Sequence, residues 1–103
     1  MNFKAELKDK ILTQSVLLTR ATKKESEEFK EILLTKIKEG NTYLVIDLTL
    51  CEFIDSTFLS ALISGLKEVK KQNGIIKILA KHQEVLSLLD KTGMGKVFEI
   101  ERV

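Results

Sequence analysis

Asp55-Ser56-Thr57 sets a carboxylate and two hydroxyls side by side at the point where the chain's hydrophobic pattern changes period. Upstream, Tyr43 to Leu48 is a short, nearly continuous apolar run, the pattern of a central parallel strand covered on both faces. Downstream, Leu59, Leu62, Ile63, Leu66 and Val69 form one stripe of a 3.6-residue helix, with Lys67, Glu68, Lys70 and Lys71 off it. A serine at such a strand-to-helix junction has two uses. It can cap the helix, accepting a bond from an orphan amide of the first turn, and either Asp55 or Ser56 suits that role. Alternatively its hydroxyl stays exposed and accepts a phosphoryl group. The dipole and free amides of a helix start tolerate the added dianion, so the fold would persist while its surface changes by about −2 in charge.

Other reactive residues are sparse. His82 is the only histidine and falls near the start of a third helix, where solvent or a capping role accounts for it. No Cys or second His accompanies it in a metal-ligand spacing. Ser56, His82 and Asp55 or Asp90 could be drawn as a triad, but no Gly-x-Ser-x-Gly elbow supports a hydrolase. Thr92-Gly93-Met94-Gly95-Lys96 resembles part of a phosphate loop, yet Val97 stands where Ser or Thr is required, so a helix stop and turn is the better reading. Lys67, Lys70, Lys71, Lys77 and Lys81 are interleaved with glutamates and lack an aromatic platform, the pattern of a solvated face.

The composition narrows the class further. A chain of 103 residues, 44% hydrophobic, is expected to build one domain over 1–103 with a real core. Seventeen basic against fifteen acidic residues leave a net charge of +2, no electrostatic case for direct nucleic-acid binding or for an anionic membrane. No apolar run approaches about 18 residues and the start MNFKAELKDK lacks a signal-peptide core, so no membrane insertion and a cytoplasmic location are expected. The single Cys51 has no partner for an internal disulfide, in keeping with a reducing compartment.

The positioning elements follow in order. Phe3 to Leu7 and Ile11 to Thr19 read as strands joined at Asp9-Lys10 and pairing near one edge of the sheet. Thr22-Lys-Lys-Glu25 has the spacing of a capping box, so the first helix starts there. Phe29, Ile32, Leu33 and Ile37 are its buried stripe, and Gly40 ends it. Thr49 to Ile54 is a loop and Gly74 closes the second helix. Ile75 to Ala80 is another buried strand, and a third helix carrying Val85, Leu86, Leu88 and Leu89 stops at Gly93. Val97 to Ile100 is a last extended segment. The order β-β-α-β-α-β-α-β predicts an α/β domain with helices packed on a mixed sheet through right-handed crossovers.

Asp47-Leu48, Phe53-Ile54-Asp55-Ser56-Thr57, Leu59 and Ala61-Leu62 resemble the signature of STAS domains of the anti-sigma-factor-antagonist type. The resemblance continues through Gly74 to Ile78 and Thr92 to Ile100 and covers about Leu44 to Ile100, while the N-terminal part agrees only in layout. It implies that Ser56 is the residue phosphorylated by a partner kinase and that Asp55, Ser56, Thr57, Phe58 and Leu59 bind the partner. Two departures stand out. Phe58 occupies the place of a family Gly and reads equally as core or as an exposed partner contact. Thr19 to Lys24 replaces a Gly-Glu-(Leu/Ile)-Asp turn, which substitutes basic residues for an acid near the site.

The resemblance implies partner switching. Unphosphorylated, the surface around Ser56 binds an anti-sigma factor that is also a serine kinase; phosphorylation of Ser56 releases it and a metal-dependent serine phosphatase resets it. ATP then belongs to the kinase, and this chain needs no cofactor and has no active site. The alternative within the fold is a non-switching STAS accessory subunit, such as that of a bacterial lipid ABC transporter, with Ser56 only a cap.

Overall fold

The structure is a computed structural model describing residues 1–103. The chain opens with a hairpin, β1 (Phe3–Lys8) and β2 (Ile11–Val16), paired antiparallel from Phe3↔Val16 to Lys8↔Ile11. Its two-residue connection, Asp9-Lys10, has both φ angles positive, 52° and 68°, the backbone that matches the twist of the flanking strands. The strand expected to reach Thr19 ends at Val16. Beyond it a two-residue strand, β3 (Arg20–Ala21), leads to α1 (Lys23–Lys38). The predicted capping box is formed, with Thr22 as the cap and its amide donating to Glu25 Oε1 at 2.9 Å.

Next come β4 (Tyr43–Asp47), a second two-residue strand β5 (Phe53–Ile54), α2 (Ser56–Lys71), β6 (Ile75–Ala80) and α3 (Gln83–Lys91). One 3-10 turn, Met94–Lys96, precedes β7 (Glu99–Arg102). Val97 therefore lies in a turn and not in the last strand, because Gly93 (φ 71°) stops α3 and the 3-10 turn consumes the next residues. Gly74 does not supply the left-handed residue after α2; Asn73 does, at φ 58°. Gly74 is needed for space: a Cβ there would stand 2.3 Å from the Thr42 carbonyl oxygen.

The mixed sheet runs β1-β2-β4-β6-β7, all pairs after the hairpin being parallel. The strand order steps in one direction through three crossovers. Right-handed crossovers that always step the same way put every helix on one face. Burial agrees: Leu44, Ile46 and Leu48 are fully buried, while Tyr43 on the other face is 38% exposed and Ile75 beside it 48%. The expectation that β4 is covered on both faces is corrected accordingly. On the open face Lys77 and Glu101 pair at 2.6 Å, a hydrogen bond that raises the Lys77 pKa.

Beneath the helices, the Phe29 ring stacks on Phe58 with centroids 4.7 Å apart and meets Phe3 in a tilted contact at 5.4 Å, tying α1, α2 and the edge strand into one core. Helices α1 and α2 lie close because Gly65 faces Leu33; a Cβ at 65 would come within 2.3 Å of Leu33 Cδ2. No helix is long and apolar enough to cross a membrane.

Candidate functional site

The two short strands build the site. β3 and β5 pair in parallel, Arg20↔Phe53 and Ala21↔Ile54, apart from the main sheet. The ladder is extended by bonds from the Glu52 and Phe53 amides to Thr19 O and from the Asp55 amide to Ala21 O. The Arg20 guanidinium lies 4.2 Å from the Phe53 ring centroid, a cation–π contact across the pair. This brings the start of α1 beside the start of α2.

Asp55 joins them. Its backbone is extended (φ −101°, ψ 175°), its Oδ1 accepts from the Phe58 amide at 2.8 Å, and its Oδ2 accepts from the Lys23 amide at 2.8 Å. Of the two capping candidates, Asp55 takes the role for α2 and also ties off α1. With the Phe58 amide bonded to that carboxylate and the Asp55 amide to the Ala21 carbonyl, only the amides of Ser56 and Thr57 remain of the four orphans of a helix start.

Ser56 is thereby freed from capping. It is exposed at the first position of α2, as is Thr57 at the second, and its carbonyl receives the Ser60 hydroxyl at 3.0 Å. Two helix N-termini converge here with the exposed Lys23 and Lys24 at the first turn of α1, an environment that favours added negative charge. The local anions opposing it are the Asp55 carboxylate, spent on two amides, Glu25 in the first turn of α1 and Glu27, which lines a cavity with Thr57.

Of the five residues expected to meet a partner, the structure leaves Ser56 and Thr57 exposed and Asp55 half-buried. Phe58 and Leu59 are corrected: both side chains are buried, Phe58 completely, since they begin the apolar face of α2 that packs on α1 and the sheet. A ring stacked between helices presents nothing to a partner. The sequence signal was available, because Phe58 precedes Leu62 by one helical turn on the buried stripe.

On the flank opposite α1, a groove of about 400 Å³ opens between β5 and α3, floored by Phe53, Ile54 and Leu88 and edged by Gln83, Glu84 and Lys91. No residue pattern marks this groove, since it depends on where α3 docks. His82 occupies the cap position of α3 but its side chain makes no capping bond. Thr92 to Lys96 is a helix stop: the Thr92 hydroxyl donates to Leu88 O at 2.7 Å. The five lysines weighed as one patch separate, Lys67, Lys70 and Lys71 lying on α2 and Lys77 on the open sheet face. Burial, with Asp47 nearby, pushes the Cys51 thiol up to about 12, so it is held as a neutral core group.

The STAS domain family profile matches residues 22–103, and the chain belongs to that family. Comparison with curated protein sequences returns no match. Among solved structures, the fold is similar to a protein of Thermotoga maritima described as an anti-sigma factor antagonist (TM-score 0.88, 17% identity, covering 98% of this chain and 86% of that one). It is equally similar to an anti-sigma factor antagonist of Mycobacterium paratuberculosis (TM-score 0.88, 21% identity, 98% and 85% covered). A Bacillus cell fate determinant, SpoIIAA in its phosphorylated form, superposes with TM-score 0.76 at 15% identity, covering 96% and 90%. At these identities the likeness is one of fold.

Proposed function

We propose that this STAS domain is an anti-sigma-factor antagonist controlled by phosphorylation of Ser56. The observation that carries the reading is the division of labour at the start of α2: Asp55 does the capping, so the Ser56 hydroxyl is exposed with no structural duty. The names of the structural neighbours support the partner class, an anti-sigma factor.

In the unphosphorylated state the partner, an anti-sigma factor that is also a serine kinase, docks on the exposed surface at Ser56 and Thr57. Its bound ATP donates the γ-phosphoryl group to Ser56 Oγ, the hydroxyl proton leaving to a base of the kinase and ADP departing. The resulting dianion stands beside the Asp55 carboxylate in a surface fitted to a neutral hydroxyl, and desolvating it against the partner weakens the complex. The free amides of Ser56 and Thr57 and the ends of two helices stabilise the phosphate within the free domain, so the fold is retained. A serine phosphatase restores the binding state by hydrolysis. The chain itself is the substrate and the switch.

The test is recovery of partners from native lysate with wild type, Ser56→Ala and Ser56→Asp, with phosphosites mapped by mass spectrometry. The reading expects a kinase-type partner retained by the Ala variant, lost by the Asp variant, and phosphate on Ser56 of wild type. Equal recovery by all three with Ser56 unmodified would instead indicate a constitutive accessory subunit.

A further inference from the structure

From Thr57 a groove runs between α1 and α2 along the length of both helices, about 24 Å for sixteen residues. It is a chain of three adjoining cavities, the first and second sharing Lys30 and Ser64, the second and third sharing Leu34 and Glu68. The end beside Thr57 is narrow, about 140 Å³, and walled by hydroxyls; beyond Ser64 it widens to about 520 Å³.

The wide part has one apolar residue, Leu34, between basic banks. Lys30, Leu34 and Lys38 follow one another at four-residue spacing on α1, and Lys67, Lys70 and Lys71 stand on α2. Five lysines face two glutamates, Glu27 and Glu68, and Glu68 is already paired with Lys71 at 3.2 Å. This excess of three exceeds the +2 of the whole chain, so the rest of the surface carries no net positive charge. Lysines in the last turn of a helix complement its dipole, which accounts for Lys38, Lys70 and Lys71. Lys30 on α1 and Lys67 on α2 lie before the last turns, line the same cavity as Leu34, and have no partner acid among the ion pairs of the chain.

We infer that this groove docks an acidic amphipathic helix of a partner protein. Apolar side chains of that helix seat against Leu34 and its carboxylates meet the lysines on both banks, a helix-in-groove contact whose charge complementarity sets orientation and on-rate. The aromatic platform that single-stranded nucleic acid requires is missing from the lining. The inference stands on the groove alone and is independent of whether Ser56 is phosphorylated.

The test is an amide chemical-shift titration of the ¹⁵N-labelled protein with a synthetic amphipathic helix bearing leucines on one face and glutamates on its flanks. A control peptide carries lysine for each glutamate. The acidic peptide is expected to shift Lys30, Leu34, Ser64 and Lys67, with affinity falling at least roughly three-fold between about 50 and 300 mM salt as screening shortens. The double variants Lys30→Glu/Lys67→Glu and Lys30→Gln/Lys67→Gln, both at exposed or half-exposed positions, should weaken it about ten-fold or more at unchanged melting temperature. Shifts elsewhere or none, equal binding of the lysine peptide, or undiminished affinity in the folded double variants would overturn the inference.

Discussion

The Asp55 carboxylate and the Lys23 amide, 32 residues apart in sequence, meet at 2.8 Å, while the same carboxylate holds the Phe58 amide at 2.8 Å. One side chain thus fixes the start of both long helices relative to each other and releases its neighbour Ser56 from that task. The surface around Ser56 is therefore a rigid one.

Removing that carboxylate should cost the stability of two helix starts. Asp55→Ala is expected to lose about 2–3 kcal/mol, a cap plus a charge-assisted bond, and Asp55→Asn about half, since one acceptor remains. Urea denaturation measures it; an Ala variant within about 0.5 kcal/mol of wild type would mean the carboxylate does not join the helices.

The hairpin offers a change of opposite sign. Lys10 carries φ 68°, a conformation that suits glycine, and its side chain is exposed. Lys10→Gly completes an Asp-Gly turn and is expected to raise stability by about 0.5–1 kcal/mol. A lower melting temperature would show that Lys10 contributes a contact outweighing its backbone strain.

Phe58→Ala should cost about 3–5 kcal/mol, since it empties the space stacked on Phe29, and Phe58→Gly about 1 kcal/mol more through helix propensity. The glycine expected at this position from family resemblance would thus unmake the core here. A loss under about 1 kcal/mol by thermal melting would put the ring outside the core.

Much of this was legible in the residues. The capping box at Thr22, the hairpin at Asp9-Lys10 and the change of period at Asp55 are local signals, and local chemistry decides them. What was not legible depends on distant partners. β3 and β5 are two residues each, too short for periodicity, yet their pairing carries Lys23 to Asp55. The apolar run of β4 suggested cover on both faces, but strand order, which no residue encodes alone, leaves Tyr43 and Ile75 on the open one.

The Cys51 thiol gives the pH dependence its sign. Burial raises its pKa from 9.0 to about 12 in the folded chain, so the folded state holds this proton where the unfolded chain has lost it. The contribution to stability is whole below pH 9 and declines as pH rises from 9 towards 12. At neutral pH a thiol reagent should label Cys51 only at the rate of unfolding; rapid labelling of the native protein would contradict its burial.

The central claim is most directly tested by comparing the partner's affinity for the unphosphorylated protein with its affinity for the same protein phosphorylated on Ser56, at one salt concentration. The account predicts a loss of about 100-fold or more, with the melting temperature of the isolated domain preserved, because a buried dianion costs several kcal/mol at an interface. Equal affinities of the two forms would contradict it.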